Sequence, residues 1–173
     1  MFAALFAKAK KEKHIQKISS RIRWMTRQSD IKMVLEIESE NLHDPWHEED
    51  FLHFLYAQDC VCMVAEHDKR ILGFMVYKLY DQKVSIINLR IAQCVQRNKI
   101  GTACIEKLKG KLQEGKREKI SMIIREHNVT SQLFLKKQGF QWIETLPEFY
   151  DDTPEDAYVM QWKLDSALPN THS

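Results

Sequence analysis

The chain has 173 residues, 44% of them hydrophobic and 29% charged, enough for one domain with a buried core. Lysine and arginine (26) nearly balance aspartate and glutamate (24), so charge alone makes no case for nucleic acid. No apolar run approaches the roughly 20 residues of a membrane span, and the apolar opening MFAALFA precedes its basic residues, the reverse of a secretion signal.

Residues 1–20 read as a basic extension, with Lys8, Lys10, Lys11, Lys13 and Lys17 around a few apolar positions. Such an arm offers at most weak grounds for RNA or ribosome contact. RIRWMT reads as a strand. Ser29-Asp30 can cap a helix carrying Ile31, Val34, Leu35 and Ile37 at helical spacing, and Pro45 closes the segment that follows. HEEDFLHFL is acidic first and apolar later, the pattern of a short helix. CVCMVAEHD and RILGFMVYKLY read as a hairpin, and KVSIINLRIA as a third strand running into VQRNKIGTA.

Residues 102–114 carry Cys104, Ile105, Leu108 and Leu112 on one side, which predicts an amphipathic helix ending near Gly115. EKISMIIRE reads as a buried strand. Asn128 is placed to cap VTSQLFLKKQ, and Gly139 to stop it. QWIETL and DAYVMQWKL are the last two strands, joined by PEFYDDTPE, with residues 165–173 as a tail. The fold class is therefore mixed α/β, a largely antiparallel sheet flanked by helices, in one domain over 21–164. The four cysteines lack histidines at ligand spacing, so they read as reduced thiols in a cytoplasmic protein, with no metal site.

The chemistry concentrates in VQRNKIGTA. A loop that turns straight into a helix leaves backbone N–H groups unpaired at the positive end of the helix dipole, a ready phosphate site. Neither a dinucleotide fingerprint nor a P-loop can be written through the five glycines.

In their order and spacing, NLRIA, this loop and REHNVTSQLFLKKQGF resemble the GCN5-related N-acetyltransferase family. That family's cofactor motif runs Gln/Arg-x-x-Gly-x-Gly/Ala; here Gln96, Lys99 and Gly101 fill it, with lysine in place of the first glycine. The Ile37-Glu38 and Pro45-Trp46 pairs, Phe149-Tyr150 and Asp156-Ala157 are similar to the bacterial ribosomal-protein-alanine N-acetyltransferases. The resemblance implies an acyl-CoA N-acyltransferase fold, acetyl-CoA as cofactor, and transfer to an amine, most specifically a protein N-terminus. A small-molecule amine acetyltransferase and a weakly catalytic acyl-CoA-binding module are the alternatives.

For the cofactor the resemblance implies Leu89, Arg90 and Ile91, then Gln96, Arg97, Asn98, Lys99, Ile100, Gly101 and Thr102, and the side chain of Asn128. For the acceptor it implies Glu38, Trp46 and Tyr150. The family's general base and acid fall on Ile123 and Leu135, neither of which moves a proton, which leaves Glu126, His127 and Tyr150 as candidates. Lys99 is expected to be harmless at negative φ and to cost roughly 1–2 kcal/mol at positive φ.

Overall fold

The computed structural model describes residues 20–26, 28–40, 45–113 and 115–164. Both the basic extension, apart from Ser20, and the tail over 165–173 lie outside the described residues. Seven strands form one sheet: β1 (Arg21–Trp24), β2 (Cys60–His67), β3 (Arg70–Leu79), β4 (Lys83–Ile91), β5 (Lys119–Arg125), β6 (Gln141–Leu146) and β7 (Ala157–Lys163). Their hydrogen-bonded order is β1-β2-β3-β4-β5-β7-β6. The helices are α1 (Gln28–Glu38), α2 (Glu48–Tyr56), α3 (Ile100–Lys109) and α4 (Val129–Lys137), so the order read from the sequence holds throughout.

Two compact units share the chain. Among the described residues, the first takes those from 20 to 76 together with Asn88–Glu106. Its core includes Ile31, Val34, Phe51, Val64, Phe74 and Val95, each at most 1% exposed. Trp46 stacks on Phe54 at 4.8 Å and meets Phe51 edge-on at 5.2 Å, and Phe51 in turn meets Phe74. Asp68 and Lys69, both at positive φ, make the two-residue turn between β2 and β3, the geometry that matches the twist of a hairpin.

Helix α1 begins at Gln28, ahead of the expected Ser29-Asp30 cap. Asp30 sits instead inside the first turn, 4% exposed, where it accepts the Thr26 N–H (3.1 Å) and both guanidinium arms of Arg23 (2.7 and 2.9 Å). That ion pair defines the start of the helix; the residue type alone does not.

Gly73 lies where β3 meets the end of β4: a Cβ there would stand 2.6 Å from the Arg90 carbonyl oxygen and 2.5 Å from Ile91 Cδ1. The first of these is backbone and cannot swing away. Gly73→Ala is therefore expected to lower the unfolding free energy by about 1–3 kcal/mol, read as a shift in the urea midpoint.

Among the described residues, the second unit takes Tyr77–Ile87 and those from 107 to 164. β4 and β5 run parallel with Lys83–Ile86 opposite Lys119–Met122, and β5 is antiparallel to β7 over Lys119–Arg125. α4 ends as its sequence predicts. Gly139 takes φ +84°, its N–H bonds the Lys136 carbonyl, and Phe140 bonds back to Leu135, a Schellman closure with both apolar partners buried.

Helix α3 departs from expectation at both ends. It starts at Ile100, two residues early, because the Lys99 carbonyl already accepts the Ala103 N–H (2.9 Å). It stops at Lys109, after which Lys111 and Leu112 turn back onto Leu108 and Lys109.

Candidate functional site

Within the first unit, β4 delivers Leu89, Arg90 and Ile91 to a single 3-10 turn, Gln93–Val95, and then to the loop before α3. The side-chain amide of Gln96 donates back to the Ile91 carbonyl (3.1 Å), and that of Asn98 donates to the carbonyls of Val95 (2.9 Å) and Gln96 (3.2 Å). These side chains brace the loop from within.

Arg97 takes φ +66° and Lys99 φ +63°, whereas Asn98 and Ile100 stay at negative φ. Alternation of hand along successive residues turns consecutive N–H groups toward one side, a concave nest that suits an anion. Helix α3 continues from it, and no backbone acceptor meets the N–H groups of Lys99, Ile100 or Gly101 among the described residues. The residues present thus fit a diphosphate.

The condition under which Lys99 would be harmless, a negative φ, is not met. The motif's first glycine position is left-handed here, and lysine bears that strain itself. Lys99→Gly is expected to raise the unfolding free energy by about 0.5–1 kcal/mol, after the added freedom of the unfolded chain is subtracted, and Lys99→Ala to leave it unchanged. Thermal melts of the two variants distinguish strain from side-chain contacts.

Glu38 is not on the helix surface: at 1% exposure its carboxylate is enclosed. It accepts the Trp46 N–H (3.3 Å) and the Asn88 amide (3.4 Å), with Arg90 Nε at 3.5 Å. Arg90 Nε is itself buried with no hydrogen-bond partner, so the pair rests on charge at long range. Glu40, two residues on, accepts the Gln93 N–H at 2.7 Å. The carboxyl end of α1 is thereby tied to β4 and to the turn that enters the loop.

In the second unit, Asn128 caps α4 by accepting the Ser131 N–H (3.1 Å). Glu126 accepts the Tyr158 hydroxyl (3.1 Å), a bond that holds that phenol above its ordinary pKa. His127 places both its backbone N–H (2.7 Å) and ring Nδ1 (2.9 Å) on one oxygen of Glu155, while its side chain stays 84% exposed. Burial pushes the Glu155 carboxyl up, but the bonds from His127 and Arg125 outweigh it and hold it below the usual range.

Tyr150 lies against the Arg125 guanidinium, 3.8 Å from ring centre to cation. Burial raises its phenol, Arg125 opposes, and the net shift is upward, so it stays protonated at neutral pH. The structure therefore gathers Tyr150, Glu126 and His127 around one loop, with two partners, Arg125 and Glu155, that motif reading did not assign to the site. Ile123 is exposed on β5 opposite Val159, and Leu135 is 1% exposed inside α4. The thiols of Cys62 and Cys104 are pushed by burial up to about 12 and take no part.

A mixed, mostly antiparallel sheet whose fourth strand runs through a loop of alternating hand into a helix is the arrangement of the acyl-CoA N-acyltransferase fold. The chain belongs to the acetyltransferase (GNAT) family, whose model matches residues 31–140, and it is an N-acetyltransferase. A Bacillus subtilis (strain 168) protein named "Putative [ribosomal protein bS18]-alanine N-acetyltransferase" is 26% identical over 135 residues, 78% of this chain and 89% of that one. The ribosomal-protein-S18-alanine N-acetyltransferase of Escherichia coli shares the fold at TM-score 0.75 and 18% identity, over 90% of this chain and 100% of that one. NAA60 of Arabidopsis thaliana, solved with a bisubstrate analogue, does so at TM-score 0.73 and 18% identity, over 86% and 100%. Among the described residues no helix is long and apolar enough to cross a membrane.

Proposed function

We propose that this chain transfers the acetyl group of acetyl-CoA to the α-amine of a protein N-terminus. The observation that carries the cofactor half is the nest of alternating hand at Arg97–Ile100 leading into α3, where the N–H groups of Lys99, Ile100 and Gly101 meet the diphosphate. Leu89, Arg90 and Ile91 offer main-chain partners to the pantetheine amides, and the sequence resemblance adds the side chain of Asn128. The acceptor half rests on sequence resemblance: Trp46 and the Tyr150 loop are similar to features of the ribosomal-protein-alanine N-acetyltransferases.

The missing family acid and base fit this acceptor. With Ile123 and Leu135 at those positions, the reaction favours an amine that is neutral without help. An α-amine, at a pKa of about 7.7–8.0, is substantially neutral near pH 7.5, whereas a lysine near 10.4 is not. The amine nitrogen bonds to the acetyl carbon, the carbon–sulfur bond breaks with its electron pair leaving on sulfur as the coenzyme A thiolate, and the amine gives up a proton. His127, its Nδ1 fixed on Glu155, is oriented to take that proton through its other ring nitrogen. Glu126, engaged by Tyr158, is the second candidate; Tyr150 holds the peptide backbone as a hydrogen-bond donor.

The test is incubation with acetyl-CoA and a library of N-terminal peptides, read by mass spectrometry beside N-blocked peptides carrying a single lysine. Acetylation of free N-termini is expected to be the faster; faster transfer to lysine overturns the assignment.

A further inference from the structure

The ten residues between β6 and β7, Pro147–Asp156, carry five carboxylates: Glu148, Asp151, Asp152, Glu155 and Asp156. A loop so charged repels itself and has no intrinsic reason to hold one conformation. One side chain at the end of β5 counters this. Arg125 Nη2 takes both oxygens of Asp152 at 2.9 Å, and Nη1 reaches Thr153 Oγ1 (3.1 Å) and Glu155 Oε2 (3.2 Å). The plane of the same guanidinium covers the Tyr150 ring at 3.8 Å. Four loop residues thus converge on a single cation. His127 adds a second fastening on Glu155, and the Glu126 N–H a third on the Asp156 carbonyl (3.0 Å).

We propose that Arg125 is a positioning residue for acceptor specificity: it fixes the loop so that the Tyr150 hydroxyl meets the incoming peptide. The proposal rests on the N-terminal-acceptor reading above and adds the residue that sets its geometry. The task suits arginine and no other cation. The planar guanidinium sends Nη2 to one carboxylate and Nη1 to a hydroxyl and a second carboxylate while its face packs on an aromatic ring, and a lysine ammonium cannot combine these contacts. Arg125 touches neither reacting atom; it acts through Tyr150. Its own charge is met by Asp152 and Glu155, so the site it organises presents a neutral phenol.

Four variants test this. Arg125→Ala is expected to raise KM for an N-terminal peptide about tenfold or more while the acetyl-CoA Kd, read by calorimetry, stays within about twofold. Amides of residues 148–156 should exchange with deuterium faster in the same variant. Arg125→Lys is expected to rescue little of either effect. Asp152→Asn, which keeps shape and removes one charge, should move both readouts in the same direction by less, and serves if Arg125→Ala fails to fold. Tyr150→Phe should raise peptide KM without faster exchange, because it loses the hydroxyl and keeps the ring contact.

Unchanged exchange in Arg125→Ala, or an acetyl-CoA Kd that rises in step with peptide KM, overturns the proposal. If the wild-type protein acetylates no peptide, the N-terminal-acceptor reading falls and the specificity role falls with it; the exchange experiment then still decides whether Arg125 holds the loop.

Discussion

Gly101→Glu should weaken acetyl-CoA binding by about a hundredfold or more and leave the protein folded. Gly101 is the second residue of α3 and is absent from the positive-φ positions, so its backbone is helical and puts no left-handed strain on a side chain. A carboxylate in the first turn of a helix is favourable for the helix itself, since it meets the positive end of the dipole. That same preference makes it a competitor: it occupies the N–H groups that a diphosphate would use and adds like charge beside it. At about 5 Å and an effective dielectric near 20, each unit charge on the diphosphate costs about 3 kcal/mol, which is more than a hundredfold in Kd.

Gly101→Ala is the control. It adds bulk without charge and improves helix propensity by up to about 1 kcal/mol, so stability should rise slightly while binding changes little. Isothermal titration with coenzyme A, beside a thermal melt without ligand, reads both quantities. Wild-type affinity in the glutamate variant would place the diphosphate somewhere other than the start of α3.

Much of this fold is legible in the sequence. Hydrophobic period two or 3.6, with punctuation at Pro45, Asn128 and Gly139, sufficed for the order of all eleven elements, because each of those signals is local. The ends of α3 were less legible. Its start depends on the Lys99 carbonyl closing the first helical bond, and its stop on turns after Leu108 that an amphipathic pattern reads straight through. The hand of Lys99 was not legible either, since lysine disfavours positive φ and only the surrounding loop enforces it.

The least legible features are long-range charge contacts. Arg125 meets partners 27 to 30 residues away, and nothing within PEFYDDTPE says which of its carboxylates will be used. Nothing in the local sequence marks Glu38 as buried, since a glutamate seldom faces a core. Its partner Asn88 lies 50 residues further on.

Glu38 also carries the largest expected effect on stability. Its carboxylate is enclosed, yet its three contacts, at 3.3, 3.4 and 3.5 Å, sit beyond the usual 2.7–3.2 Å range for N–H donors. A buried charge so loosely met is held by the sum of its partners, and each partner depends on it in return. Glu38→Ala would leave the Trp46 N–H, the Asn88 amide and Arg90 Nε facing an apolar gap. Breaking such a network from one side costs about 3 kcal/mol.

Glu38→Gln separates charge from hydrogen bonding. It keeps an oxygen for Trp46 and Asn88 and sheds the cost of burying an anion, and Arg90, with 36% of its side chain exposed, can turn to water. Its loss should be about 1 kcal/mol. Urea unfolding of both variants measures the difference, and an alanine variant within about 1 kcal/mol of wild type would show that the carboxylate holds nothing together. Because Glu38 bridges Trp46, on the proposed acceptor side, to Arg90, on the proposed cofactor strand, the alanine variant should raise peptide KM and acetyl-CoA Kd together. That joint movement would set it apart from Arg125, whose loss moves the peptide alone.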